Sequence, residues 1–157
     1  MQLKDKYIFD SNSFSSVNEF FEDVVLKETG GSKLSPKHLG DVRIDSTTLI
    51  DVKSINMGKK FHMPNLASQN KLYDYLQDDK NTLMYLLIWY EKDGNNLHIN
   101  KWALKHIEEL DPKCLVVQSQ GLGVLQIKNA NKLEFISKIN RKKWLNILKS
   151  MVESFLL

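Results

Sequence analysis

The chain alternates between apolar residues at helical spacing and short apolar runs typical of β-strands, which predicts an α/β fold. Near the N-terminus, Ser16 and Glu19 have capping-box spacing, and the Gly30-Gly31 pair ends the periodic stretch that follows them. This pattern predicts a helix over about residues 16–29. A second helix is predicted from Ser68 to Gln77, and an apolar stripe in the C-terminal segment predicts a third that closes the chain.

Several segments rich in Val, Ile, Thr and aromatic residues have the character of strands. Two of them, 41–45 and 48–55, are separated by a short link and predict a hairpin. The almost wholly apolar run 83–90 predicts a central strand, and Asp93-Gly94 predicts the turn that follows it. With a further strand pair over 115–127, these elements predict a central mixed β-sheet flanked by α-helices.

The composition is that of one ordinary globular domain. The 157 residues are 42% hydrophobic and 26% charged, which suits a single domain over 1–157. We find no apolar run long enough to span a bilayer and no apolar core of a signal peptide, so we expect a cytoplasmic protein that does not contact membranes. The single cysteine, Cys114, excludes an internal disulfide, and we predict that it is a core residue.

Charge is distributed unevenly along the chain. The net charge of +3 is too small to indicate a nucleic-acid partner by itself. Residues 1–30 are acidic, however, whereas residues 128–150 carry seven basic side chains against Glu134 alone. The C-terminal segment can therefore present positive charge to phosphates.

Residues 40–56 contain the side chains that point to a reaction. Asp51 and Lys53 are two positions apart in a predicted strand and so share one face, to which Asp41 can add a second carboxylate. Two carboxylates can hold one or two divalent cations for phosphodiester hydrolysis, and oxygen ligands favour Mg²⁺. The lysine can orient the attacking water or stabilise developing charge. An Asp-x-Lys pair in a strand is also common as a solvated ion pair, so the pair alone does not establish a site.

The string Asp51-Val-Lys-Ser-Ile-Asn56 resembles the active-site segment of the PD-(D/E)XK nucleases, and most closely that of the PvuII-like type II restriction endonucleases. The interval of ten positions from Asp41 to Asp51 matches this group as well. The resemblance implies a type II site-specific deoxyribonuclease that hydrolyses double-stranded DNA with Mg²⁺, or with Mn²⁺ as a substitute. Asp41 and Asp51 would be its metal ligands, and Lys53 the third catalytic residue.

The resemblance has limits that bear on specificity. Gly40 stands where the proline of the family motif would be, and Asp51 replaces the commoner glutamate. The match is strong only over residues 40–56, so the recognition sequence cannot be transferred. A repair, recombination or phage nuclease that acts on structured DNA fits the same residues. So does a non-catalytic DNA-binding module on this scaffold.

The same resemblance implies a homodimer with one active site for each DNA strand. The helix over 16–29 is its candidate dimerisation element through Phe20 and Phe21, for which a core role is an equal alternative. A cognate DNA methyltransferase in the same cell is compatible with this function, though not as a physical partner.

Further polar residues are candidates for DNA contact or metal binding. Asp45 is an even number of positions after Asp41, so it shares a face of the predicted strand with Asp41 and is a candidate metal ligand. An acid at a hairpin turn is usually solvated, however. Glu28 lies at a predicted helix end and is left outside the site. Candidates for DNA contact lie in the loop after the catalytic strand and beside the Gly121–Gly123 turn. They are Lys59, Lys60, His62, Gln118 and Gln120, with Gln126 as a further amide beside that turn.

Overall fold

The structure of the chain, a computed structural model, describes residues 1–118 and 123–156, and side chains up to residue 154. The described residues form three helices and nine strands. The helices are α1 (Val17–Thr29), α2 (Gln69–Leu76) and α3 (Arg141–Leu156). The strands are β1 (Lys6–Ile8), β2 (Ser32–Lys33), β3 (Val42–Arg43), β4 (Thr48–Asn56), β5 (Asn65–Ser68), β6 (Thr82–Asp93), β7 (Asn96–His106), β8 (Leu115–Gln118) and β9 (Val124–Ile127).

The chain divides into two compact units, and the first comprises Met1–Lys60 and Leu83–Leu104. This unit contains α1 and a six-stranded sheet in the order β1-β7-β6-β4-β3-β2. β2, β3 and β4 form successive antiparallel pairs, and β1 pairs antiparallel with β7. Both edge strands are very short, a feature by which natural sheets discourage edge-to-edge association.

Local signals fix both ends of α1. The Ser16 side chain accepts a hydrogen bond from the backbone N–H of Glu19 at 3.1 Å, as the capping-box spacing predicts. The Glu19 carboxylate accepts from the backbone N–H and the hydroxyl of Ser15, one residue earlier than in the ideal box. Gly30, at φ +67°, ends the helix and donates its N–H to the carbonyl of Leu26.

The core of the first unit forms where α1 packs on the sheet. Phe21 is fully buried among side chains of β3, β4, β6 and β7, while Phe20 is partly buried against the same core. Phe20 makes edge-to-face contacts with Tyr7, Phe14 and Phe21 at centroid distances of 5.8, 5.4 and 5.4 Å. Both phenylalanines therefore serve the core of their own chain. The role of α1 in a dimer stays a prediction.

The second unit comprises Phe61–Thr82 and Lys105–Leu157. It holds α2, α3 and an antiparallel three-stranded sheet in the order β5-β9-β8. The Ser68 side chain accepts from the backbone N–H of Lys71 and so caps α2, as predicted. The core of the second unit includes almost completely buried side chains from both helices and from the sheet: Leu72, Leu76, Leu125, Ile127, Trp144 and Leu148.

A buried ion pair holds several segments of the second unit together. Arg141 donates from Nε to Glu108 Oε1 at 2.8 Å, and Glu108 is completely buried. The remaining guanidinium nitrogens donate to the carbonyl oxygens of Leu76, Asp78 and Asn81 at 2.7 to 3.2 Å. One side chain therefore links the start of α3 to the end of α2 and to the turn before β6.

The sequence predictions of the helices and longer strands are confirmed to within a few residues, and β1, β2 and β5 were not predicted. The prediction that Cys114 is a core residue is wrong. Cys114 is half-buried because it ends a partly exposed 3-10 turn, Pro112–Cys114, and its Sγ lies 3.8 Å from the carbonyl of Lys132. None of the helices in the described ranges is both long and apolar enough to cross a membrane.

The Arg141 network gives a first testable prediction. Arg141→Ala leaves Glu108 buried without its counter-charge, so we expect the free energy of unfolding to fall by about 3–5 kcal/mol in urea titrations. The matched control is Arg43→Ala, which removes an exposed arginine with a long 3.4 Å contact to the carbonyl of Ser46 and should change stability by less than about 0.5 kcal/mol. Equal losses in the two variants would contradict this role of Arg141.

Candidate active site

Asp41 is tied to β4 by both its backbone and its side chain. Its N–H donates to the carbonyl of Ile50 at 2.9 Å, which continues the β3–β4 pairing by one step. Its Oδ2 accepts the backbone N–H of Val52 at 2.7 Å. Gly40, at φ +79°, provides the turn that brings Asp41 to this position, and a Cβ there would lie only 3.1 Å from the Cβ of Leu49.

Asp51 and Lys53 lie on one face of β4, as their spacing predicts, and form an ion pair. Lys53 Nζ lies 3.2 Å from Asp51 Oδ1. Asp51 is 6% exposed, and burial is the main reason that its pKa lies well above the usual range. Lys53 opposes this rise, whereas Asp41 increases it through its charge and through a hydrogen bond between the two carboxyl groups. The structure thus brings together all three residues that the sequence singled out.

A third carboxyl group, Glu22 on α1, joins the two aspartates and was not predicted. The pKa of Glu22 is raised to about 7, mainly by burial and then by the charge of Asp41 and a hydrogen bond with it. Lys33 opposes the rise and Glu19 adds to it. One feature of the sequence could have indicated Glu22. It is an acidic residue directly after Phe21, which is fully buried on the side of α1 that packs on the sheet.

Tyr85 on β6 is fully buried and close enough to the two aspartates for their charges to act on it. Burial raises its pKa well above the usual range, and the charges of Asp51 and Asp41 add to that effect. Among the described residues, its hydroxyl has no hydrogen-bond partner. The carboxylates therefore border an environment in which negative charge is poorly solvated.

This chemistry suits a hard divalent cation. No hydrogen bond of good geometry from the described residues reaches the buried Oδ1 of Asp51, which meets Lys53 as an ion pair. A cation would offset the carboxylate charges that burial leaves uncompensated. Within the described ranges, no group of three or more His, Cys, Asp or Glu side chains forms a cage that could hold a metal ion. Mg²⁺ needs no such cage, because proteins usually supply one or two carboxylates and leave several water ligands in place.

The other acidic candidates lie apart from this cluster. Asp45 is exposed and accepts the backbone N–H of Thr47 at 2.9 Å, so it caps the hairpin turn; that hydrogen bond is the largest cause of its lowered pKa. Glu28 is exposed at the end of α1, in agreement with its being left outside the site. Neither acid is part of the site.

The residues predicted to contact DNA lie in three different settings. Lys59 and Lys60 are exposed in the turn after β4, while His62 is half-buried and its carbonyl accepts the N–H of Ala130. Gln118 is half-buried at the end of β8, and Gln120 lies outside the described residues. DNA contact by these five residues stays a prediction.

Gln126, the further amide considered for base recognition, has a structural role instead. It is buried, and its Nε2 donates to the carbonyl of Met63 at 3.1 Å and to Asn65 Oδ1 at 2.9 Å. These contacts commit its donor group to the segment that leads into β5, because a buried amide must satisfy its hydrogen bonds internally.

Comparison with known proteins gives matches among solved structures alone. No protein-family model and no curated protein matches the chain. Among solved structures, it is similar to the NlaIV restriction endonuclease, with a TM-score of 0.57 and 17% sequence identity. The alignment covers 92% of this chain and 66% of that enzyme. The fold is restriction-endonuclease-like.

This fold likeness confirms the predicted α/β class with a central mixed sheet and flanking helices. At 17% identity it defines the fold alone and assigns no residue a role. The case for a reaction therefore depends on the Glu22, Asp41, Asp51 and Lys53 cluster.

Crowding of carboxyl groups predicts a stability that depends on pH in the absence of metal. The pKa of Glu22 is about 7 in the folded protein against an ordinary value of 4.5, so between these values the folded state binds more protons than the unfolded state. The free energy of unfolding in EDTA should therefore fall as pH rises from about 4.5 to about 7. Asp51 acts in the same direction because its pKa is also raised.

Glu22→Gln should reduce this pH-dependent loss, measured by urea titration in EDTA at pH about 5 and about 8. Glu28→Gln, at an exposed position on the same helix, is the matched control and should behave like the unmodified protein. If Glu22→Gln loses as much stability between the two pH values as the unmodified protein, the proposed crowding at Glu22 is wrong.

Proposed function

We propose that this chain is a divalent-metal-dependent deoxyribonuclease of the PD-(D/E)XK class, which cleaves double-stranded DNA at specific sites as a type II restriction enzyme. The observation that carries the proposal is the 3.2 Å pair between Lys53 and the buried Asp51, next to Asp41, in a restriction-endonuclease-like fold. An Asp-x-Lys pair without a function would be expected to stay in contact with water, because burying a carboxylate costs on the order of several kcal/mol. A cost of that kind is typical of functional sites.

The carboxyl groups have distinct tasks in this proposal. Asp41 and Asp51 would hold Mg²⁺, for which Mn²⁺ can substitute, while Glu22 on α1 contributes a third acidic group next to Asp41. When bound, the cation lowers the pKa of a coordinated water and offsets charge on the scissile phosphate. The hydrogen bond from Val52 to Asp41 Oδ2 restrains the first carboxylate before any cation arrives.

Lys53 acts on the water and the phosphate. Its side chain is 24% exposed, so the ammonium group can reach substrate while Asp51 limits its movement. A fixed ammonium orients the attacking water or stabilises charge that develops on the phosphate oxygens. Asp51 thus serves Lys53 as well as the metal.

The wider interaction with DNA follows from charge and symmetry. The basic residues between 128 and 150, with Lys59, Lys60 and His62, provide contacts to the DNA. Cleavage of both strands of a symmetric site is most simply achieved by a homodimer with one active site per strand. The proposed place of action is the cytoplasm. This chain spans 66% of the NlaIV restriction endonuclease, so the extent of its recognition surface belongs to the proposal as well.

The decisive test is metal-dependent cleavage of DNA. Long unmethylated duplex DNA should yield discrete fragments with about millimolar Mg²⁺ and none in EDTA. Asp51→Ala and Lys53→Met should each lower the cleavage rate by about 10²–10³-fold or more. Asp45→Ala, the exposed acid of the adjacent turn, is the matched control and should retain activity.

The pattern of products separates the alternatives. Cleavage confined to branched or mismatched DNA would instead indicate a repair or recombination nuclease with the same centre. Binding without cleavage would indicate a non-catalytic DNA-binding module. Cleavage that survives Asp51→Ala would overturn the proposed centre.

A further inference from the structure

The edge of β4 next to β3 extends beyond the reach of its partner strand. β3 contains only Val42 and Arg43, which pair with Ile50 and Leu49. Farther along the same edge, every second residue of β4 still directs its backbone N–H outward in the plane of the sheet. A buried or half-buried N–H that no strand satisfies needs another acceptor.

Two side chains, one after the other along β4, provide these acceptors. Asp41 Oδ2 accepts the N–H of Val52 at 2.7 Å, and Asn18 Oδ1 accepts the N–H of Ser54 at 2.9 Å. The same Asn18 oxygen also accepts the Ser54 hydroxyl at 2.9 Å. Side chains thus continue the hydrogen bonding where β3 ends.

The second acceptor connects two parts of the candidate active site. Asn18 is the second residue of α1 and lies one helical turn before Glu22, so fixing Asn18 restrains the helix that presents Glu22. Ser54 directly follows Lys53, so fixing Ser54 restrains the backbone that presents the lysine. The two hydrogen bonds therefore set the position of Glu22 relative to Lys53.

We propose that Asn18 is a positioning residue, which holds α1 and β4 in the register that places Glu22 and Lys53 around one reaction centre. A neutral amide suits this role because its oxygen accepts two hydrogen bonds without adding negative charge beside Glu22, Asp41 and Asp51. The inference rests on the proposed nuclease function, but its structural part can be tested separately.

Hydrogen exchange of single amides tests the structural part. In Asn18→Ala, the Ser54 amide should exchange at least about tenfold faster than in the unmodified protein, whereas the Val52 amide, held by Asp41, should not change. Asn18→Asp keeps an acceptor oxygen and should leave the Ser54 amide protected. An unchanged Ser54 amide in Asn18→Ala would overturn the proposal whether or not the chain cleaves DNA.

Kinetics test the catalytic part. Under single-turnover conditions with Mg²⁺ and saturating DNA, Asn18→Ala should lower the cleavage rate by about 10- to 100-fold, because a small misplacement of catalytic groups has effects of this size. DNA affinity in EDTA should stay within about twofold, since Asn18 acts through Glu22 and Lys53. Asn18→Asp restores the acceptor oxygen but adds a negative charge near Glu22, so its rate should lie between those of Asn18→Ala and the unmodified protein.

Asn70→Ala is the matched control, because Asn70 is the second residue of α2 and accepts from its neighbour Gln69 at 2.7 Å. It should leave the cleavage rate unchanged. Equal rates for Asn18→Ala and Asn70→Ala, or a loss confined to DNA affinity, would each overturn the positioning role. Absence of cleavage by the unmodified protein would refute the proposed function, and amide exchange would still decide whether Asn18 joins α1 to β4.

Discussion

The hydrogen bond from the Val52 backbone to the Asp41 carboxylate is the contact on which the arrangement of the site depends. β3 is only two residues long and cannot by itself align a chemical group with the far end of β4. Asp41 overcomes this limit because its N–H extends the strand pairing to Ile50 while its side chain bonds to Val52. One carboxylate oxygen is committed to the scaffold, and the carboxyl group is held beside Asp51.

The same arrangement carries an electrostatic cost. Three carboxyl groups lie near one another, the charges of two of them act on a buried phenol, and a lysine is paired with one. Each additional negative charge disfavours ionisation of the others, and burial removes the water that would solvate them. The apolar core between α1 and the sheet offsets this cost, since fully buried side chains such as Phe21 and Val52 stabilise the elements that carry the acids. The site is thus maintained by packing outside it.

Local patterns in the sequence were sufficient for the helices and longer strands and for three of the four residues of the site. α1 was predictable because Ser16 and Gly30 mark its ends, and Asp51 and Lys53 because strand periodicity places them on one face. Glu22 was missed because its partner, Asp41, is distant in the sequence and no short motif links an acid on a helix to a turn. The Asn18 and Ser54 contact, which joins positions 36 residues apart, is equally invisible to local reasoning. The core position assigned to Cys114 failed because apolar character alone does not reveal that a 3-10 turn ends there. The fold class was predictable from the order of elements, whereas β1, β2 and β5 are too short to carry a periodic signal.

The order in which the chain visits its two units has a consequence for biosynthesis. Each unit is assembled from two separate stretches, and the backbone passes between the units at residues 60/61, 82/83 and 104/105. During translation, the first unit lacks part of its sheet until Leu104 has left the ribosome, and the second lacks α3 until still later. The carboxylates near the N-terminus are therefore synthesised before the β6 and β7 strands that complete their sheet, so β4 emerges with an unpaired edge. Because neither unit is contiguous in sequence, neither can be exchanged between proteins as a single cassette.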